Sequence, residues 1–319
     1  MQLNDEVVRS FGMGRVFKEK QARVNSLDFH RTEDLLVTAG DDDSIHVYNT
    51  STGQAQRNLF SKKYGVSNIC FTHHPQAVIH ASNKGSEHAV RYLSLHDNRY
   101  LRYFRGHTAR VTMLCMSPKT DLFMSASLDR TVRVWDLRTT QSQGLLQAPG
   151  QPCAAFDQQG LVFCIGTQSG IIKLYDVRTF DKGPFETFTV PDLVNSAMAF
   201  SYTKFSADGK LLLAVAERNI FVLDAYTGGL LHRFSSGIPD GGTALEATFS
   251  ADCQYVLSGC EDRCIRAWST LTGQEVAAWK GHAGVPTSIK WAPRRMLVAS
   301  ACSALALWVP NTSAFMPQQ

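Results

Sequence analysis

The chain repeats itself seven times, and that periodicity limits what it can become. Each copy reads as an apolar strand, a strand of small residues, a short polar turn and an alternating strand that ends in a large side chain. The third copy is the clearest: Gly106-His107, then Val111 to Met116, Leu122 to Ser127, and Asp129 to Trp135-Asp136. The residues matching Trp135 are Tyr48, Leu93, Tyr175, Leu223, Trp268 and Trp308, so the copies step by 45, 42, 40, 48, 45 and 40 residues. A unit this short cannot bury both its faces alone and must stack on its neighbours.

Seven units of 40 to 48 residues match the period of WD-repeat propeller blades. The strand physics agrees. Val132 and Val134 point to one face, and Thr131, Arg133 and Trp135 to the other, with β-branched residues enriched. Four such strands make a twisted blade, and blades in a ring bury both sheet faces. The expectation is an all-β, seven-bladed propeller over 1–309, followed by a short polar tail, 310–319. The third copy also carries residues similar to that family's buried network: His107, Ser125 or Ser127, Asp129 and Trp135. The seventh has Gly281-His282 and Trp308 but no aspartate; the first has Asp42 and Tyr48 but no Gly-His pair. Nor does the seventh copy have an outer strand of its own. Residues 1 to 20 precede the first copy, and Val7, Val8, Phe11, Val16 and Phe17 within them are expected to form the missing strand and remove two sheet edges. The alternative is an unattached N-terminus.

Composition excludes several classes. Apolar residues are 44% of the chain and charged ones 19%, which is not a disordered composition. The longest apolar runs, such as Leu211 to Ala216, are about six residues, too short for a membrane helix. Asp5 and Glu6 stand where a signal peptide needs positive charge. The eight cysteines contain no CxxC, and Cys260 and Cys264 have no second pair or histidine nearby to complete a zinc site, so reduced thiols, mostly buried in strands of a nuclear or cytosolic protein, are expected. There is no GxSxG, P-loop, HExxH or complete dinucleotide fingerprint; Gly12-Met13-Gly14 is half of one and lies in the proposed closing strand. His73-His74 falls in a solvated turn, and His107 with Asp129 reads as a structural bond in place of a catalytic pair. No catalytic residue, cofactor or metal site is expected.

Propellers act as rigid platforms, and two clusters suit that role. Arg23, then Lys62, Lys63 and Tyr64, then Arg105 and Arg110 precede the first, second and third copies, so they should form an arc on one face, opposed by Asp41, Asp42 and Asp43. This is either solvated surface or a cationic pocket for an acidic or phosphorylated peptide. A net charge of +4 beside an acidic triplet is too little for a duplex-binding surface, so sequence-specific nucleic acid is not expected. Arg99, Tyr100, Arg102 and Tyr103, with Phe104 and Arg105, interleave basic and aromatic groups in an outer strand. They make an interface rim or an inward-packed face.

The segments Ser61 to Val66, Arg91 to Asn98, Arg102 to Phe104 with Gly106-His107, Phe180 to Phe185 and Ala299 to Cys302 lie outside the general repeat consensus. They resemble the WD-repeat subunit of COMPASS-type histone H3 methyltransferases, the Swd-two type, or WD-repeat protein eighty-two family. The resemblance runs from about residue 1 to residue 309 and is weakest at 191–199 and 235–244. It implies a nuclear, chromatin-associated, non-enzymatic scaffold that binds the N-terminal segment of a SET-domain methyltransferase. It also implies links to the phosphorylated C-terminal repeat of RNA polymerase II, directly or via a partner, and to phosphatase 1 and transcription-termination assemblies. A different class is suggested by Trp135-Asp136-Leu137-Arg138 and Tyr175-Asp176-Val177-Arg178, which resemble the WDxR motif of cullin-type ubiquitin-ligase substrate receptors. In that motif the aspartate and arginine, here Asp136, Arg138, Asp176 and Arg178, either belong to the ligase-adaptor site or serve the blade itself.

Overall fold

The computed structural model describes residues 3–18, 22–194, 198–237 and 245–311. These form seven four-stranded antiparallel sheets arranged as the blades of one ring. Blade 3 is built from Val111–Met116, Leu122–Ser127, Thr131–Asp136 and Gly144–Gln147, from inside to outside. Each residue matched to Trp135 lies in the third strand of its blade. The core is not central. It is divided into seven apolar clusters, each between two neighbouring blades. The strand alternation produces this division. Trp135 packs toward blade 2 against Ile79 and Phe104, while Val132 and Val134 pack toward blade 4 against Phe163 and Ile165.

The ring closes through its first strand, Phe11–Phe17, which pairs antiparallel with Leu305–Pro310 as the outer strand of blade 7. The expected strand is shorter than the apolar pattern suggested. Val7 and Val8 lie in a helix, α1 (Asp5–Arg9), capped by the Asn4 side chain on the Val7 N–H at 2.9 Å. The cap and the acidic first turn favour one helical turn over extension. The turn sets Val7 and Val8 into the cluster between blades 6 and 7. Trp279 of blade 6 donates its indole N–H to the Val8 carbonyl at 3.0 Å and stacks on Phe11 at 4.8 Å. The Tyr255 hydroxyl donates to Asp5 at 2.6 Å. The segment therefore bolts blade 6 to blade 7 as well as completing blade 7. Of the tail, 312–319 lie outside the described residues, and Pro310 itself ends a strand.

Blade 3 contains a continuous relay. A carboxylate only accepts, so His107 Nδ1–H donates to Asp129 at 2.8 Å; His107 Nε2 then accepts the Ser125 hydroxyl at 2.6 Å, whose oxygen accepts the Trp135 indole N–H at 2.8 Å. Ser125 occupies the relay. Ser127 instead donates to the Ala109 carbonyl at 2.9 Å and anchors the loop before the inner strand. Gly106 lies close beside it: a Cβ there would meet Arg133 NH1 at 2.6 Å and would require that guanidinium to move. Blade 7 repeats the relay through His282, Ser300 and Trp308 at 2.6 and 2.7 Å, with Cys302 where the aspartate would stand, its Sγ 3.2 Å from His282 Nδ1. Burial opposes ionisation of that thiol, yet His282 and the Ala304 and Gly284 backbone together bring it to about 6.

Asp129 accepts from His107, the Thr108 and Thr131 N–H groups and the Thr131 hydroxyl. Asp42 accepts from the Ser44 N–H and hydroxyl. Asp129→Ala is accordingly expected to cost about 1–3 kcal/mol through its orphaned buried donors, and Asp42→Ala clearly less. Urea midpoints of the two variants check this, and equal midpoints would contradict the ranking.

All eight cysteines are free thiols, and seven are buried. Cys70, Cys115, Cys153 and Cys164 lie in strands, whereas Cys253, Cys260, Cys264 and Cys302 lie in turns and connections, so the expected confinement to strands holds for half of them. No helix among the described residues is long and apolar enough to cross a membrane.

Candidate partner-binding site

The loops leading into the inner strands and the turns between second and third strands share one end of the ring, the upper face. Blade 2 builds the most elaborate group there. Its entry loop turns tightly at Gly65 (φ 70°), where the Ser61 hydroxyl donates to the Gly65 carbonyl at 2.8 Å. The Asn83 and Lys84 N–H groups donate to the Tyr64 carbonyl at 3.2 and 3.0 Å, which pins this loop against the 82–89 connection. Tyr64 is thereby laid over the guanidinium of Arg91, 3.4 Å from its ring centroid, with the Tyr103 and Tyr100 rings at 5.0 and 5.8 Å.

Arg91 is fully buried in the third strand, Val90–Ser94. Its Nε donates to Ser82 at 2.8 Å and its NH2 to Glu87 at 2.8 Å. Glu87 also accepts from Arg105, and the Arg105 and Arg91 bonds hold its carboxyl below the usual range. Buried charge is costly unless paired. Here one carboxylate and three aromatic faces offset that cost. A strand bulge opposite Tyr92 and Leu93 makes the nest possible. Residues three apart in a regular strand face opposite ways; the bulge brings Tyr100 and Tyr103 to the same side. Tyr100 also shares a 2.8 Å hydrogen bond with Ser61, and burial raises its phenol.

The two sequence clusters therefore touch at one point. Tyr64 of the arc and Tyr100 and Tyr103 of the rim meet on Arg91. Around them Lys63 lies over Tyr64 at 5.0 Å and Arg105 over Tyr103 at 5.4 Å. The hydrogen bond to Tyr64 raises the exposed Lys63 ammonium. Arg23, Lys62 and Arg110 are exposed on the same face, at the entries to blades 1, 2 and 3. The acidic triplet does not oppose them as a unit: Asp43 is buried and paired with Lys84, Asp42 is turned onto Ser44, and Asp41 accepts from Asn25 at 3.0 Å. On the rim, Arg99 is exposed, while Arg102 donates to the Leu137 carbonyl of blade 3.

Sequence reasoning missed Arg91, Glu87 and Lys84 as site residues. The available signal was an arginine in the middle of a strand whose neighbours are apolar. Elsewhere, His73 is exposed with a ring nitrogen 3.0 Å from the Thr120 carbonyl. No group of three or more His, Cys, Asp or Glu residues among the described residues has the spacing of a metal site. In the two ligase-like motifs, Asp136 is buried and held by Arg138 Nε and NH2 at 2.9 and 2.7 Å, whereas Asp176 accepts the Arg178 N–H at 2.7 Å.

The ring, its relay of histidine, serine and tryptophan and its loop-built upper face define a WD-repeat propeller. Residues 13–49, 98–136 and 236–269 match the family described as WD domain, G-beta repeat. Over nearly its whole length the chain is 46% identical to anthesis promoting factor 1 of Arabidopsis thaliana, covering 97% of this chain and 94% of that one. It is 42% identical to WD repeat-containing protein 82 of Drosophila melanogaster, covering 98% of both. It is 40% identical to the Set1 complex component swd2 of Schizosaccharomyces pombe, covering 74% of this chain and 65% of that one. The chain belongs to this Swd2 and WD repeat-containing protein 82 family.

Proposed function

We propose that the chain is a non-catalytic scaffold subunit of a nuclear, chromatin-associated Set1 or COMPASS-type histone H3 methyltransferase complex. The observation that carries this reading is the family relationship, in which one relative is named a Set1 complex component. The expected partner is the N-terminal segment of the SET-domain subunit. Links to the phosphorylated RNA polymerase II C-terminal repeat, to phosphatase 1 and to termination assemblies extend the same reading. Co-purification from nuclear extract tests it: a SET-domain subunit should accompany the chain. Recovery of a cullin-ligase adaptor in its place would favour a substrate-receptor role.

The docking site in this proposal is the arc of Arg23, Lys62, Lys63, Tyr64, Arg105 and Arg110, with Arg99, Tyr100, Arg102 and Tyr103 beside it. Each phosphate carries a charge of about −1.5 to −2 at neutral pH. Exposed cations therefore bind it in a salt-dependent way, since screening reaches about 10 Å at 0.1 M. The double reversal Lys63→Glu, Arg110→Glu is expected to abolish capture of a phosphorylated polymerase-tail peptide, or of the methyltransferase segment if that is the acidic partner. Its melting temperature should barely move, because both side chains are exposed. Titration of both peptides at two salt concentrations reads this out. Salt-independent affinity with normal binding by the variant would reduce the arc to solvated surface.

A further inference from the structure

The axis of the ring holds a cavity of about 660 Å³, within the range that encloses small ligands. One position of the repeat supplies wall residues from six of the seven blades, all but Thr248 of blade 6. The residue before the last position of each inner strand is Asp28, Cys70, Cys115, Ala155, Lys204, Thr248 and Lys290, in blade order. The two lysines make the same gesture. Each reaches to the equivalent residue of the next blade: Lys290 to Asp28 at 3.0 Å, and Lys204 to Thr248 at 3.0 Å. The outcomes differ in charge. Lys290 meets a carboxylate, whereas Lys204 meets a hydroxyl whose own proton goes to the Phe249 carbonyl at 3.2 Å.

Lys204 forms no ion pair among the described residues. The other carboxylate at this level, Glu246, accepts from the Ser288 hydroxyl at 2.7 Å and the Ile289 N–H at 3.3 Å. Lys204 is only half-buried although it sits inside the ring, because its side chain borders the cavity. Burial first, and Lys290 second, bring its ammonium down to about 8. Across the cavity stand Cys70, Cys115 and Ala155, a wall without charge. The lower mouth is crossed by Arg31 of blade 1, which donates to the Pro118 carbonyl of blade 3 at 2.7 Å and to Gln158 of blade 4 at 3.4 Å. The upper end carries the exposed cations Arg23, Lys62, Lys63, Arg105 and Arg110, whose field favours anions.

We propose that the axial cavity binds a small organic anion, with its carboxylate or phosphate on Lys204 and its apolar body against the Cys70, Cys115 and Ala155 wall. The anion would supply the counter-charge that Asp28 supplies to Lys290. This does not depend on the chromatin role or on the outer arc.

Phenyl phosphate and inorganic phosphate serve as probes, titrated by calorimetry against the full chain. Phenyl phosphate should bind at least tenfold more tightly than inorganic phosphate, because only it uses the apolar wall. Thr248→Asp places a carboxylate beside Lys204, as in the Asp28 pair, and should abolish binding of both probes; Lys204→Met should do the same. In the wild type, affinity should fall about tenfold between pH 7 and pH 9 as the free ammonium is lost. Cys70, Cys115 and Tyr202, which also face Lys204, are raised by burial, and the Asp28 pairing keeps Lys290 charged. Glu246 is likewise raised by burial, and its ionisation acts in the same direction. The pH series needs no variant, so it stands if either variant fails to fold. Absence of binding to the wild type, pH-independent affinity, or unchanged binding by a folded Thr248→Asp or Lys204→Met overturns the proposal.

Discussion

Deleting residues 1–18 is expected to destabilise the whole ring by an amount comparable to its total stability. Val7, Val8 and Phe11 are all buried, and each such side chain contributes about 1.5–3 kcal/mol. Their loss alone is on the order of 5–9 kcal/mol, as large as the roughly 5–15 kcal/mol that holds a typical domain together. The deletion also uncovers Trp279 and Trp291 and leaves Leu305–Pro310 as an open edge. Such an edge pairs with other chains. Size exclusion with thermal unfolding should show aggregates or a strongly lowered transition. A monomer melting at the wild-type temperature would contradict the closure. Phe11→Ala is the milder form, expected to cost about 3–5 kcal/mol.

Acid should destabilise the protein through His80 by about 3 kcal/mol. This residue is fully buried in blade 2, and burial pulls its imidazole from 6.5 to about 4. The unfolded chain takes up the proton near 6.5, the folded chain only near 4. The contribution is therefore complete above pH 6.5, shrinks as pH falls through that window, and levels off near pH 4. At about 1.4 kcal/mol per pH unit the window is worth the stated amount. His30 and His107, also lowered chiefly by burial, act in the same direction, so the measurement is a difference. Across pH 7.5 to pH 4 the stability of wild type relative to His80→Gln, from urea unfolding, should fall by about 3 kcal/mol. Parallel curves would remove His80 as the source.

The fold was legible because its signal is repeated. The Trp135 register, read seven times, put every third strand in place, and the alternation of Val132, Val134 and Trp135 assigned the faces. The helix at Asp5–Arg9 was not legible, since Val7 and Val8 suit a strand as well as a turn of helix. Asn4 and the pocket between blades 6 and 7 decide between them. The arc residues could be listed from loop positions. Their assembly with the rim could not, because it depends on a bulge at Tyr92 and Leu93 that no pattern of period two contains. Arg91 escaped for a related reason: a strand arginine reads as solvent-facing until the three tyrosines that cover it are in place. The lysine at 204 and its partner at 248 were present in the repeat register all along, but only the docking of blade 5 on blade 6 makes these equivalent positions neighbours.

Closure by the first strand also has a timing. Phe11 pairs with Pro310, a separation of 299 positions along the chain. At about 5–20 residues per second on a ribosome, the opening strand waits roughly 15–60 s for its partner. Blades 1 to 6 can zip up as they emerge, each docking on the one before, while the growing fan keeps an open gap. During that interval Phe11, Val16 and Phe17 are an unpaired apolar strand in a crowded cell. The step that makes the ring rigid is the last to become possible, so the nascent fan is the form on which chaperones, or a partner assembled during synthesis, would act.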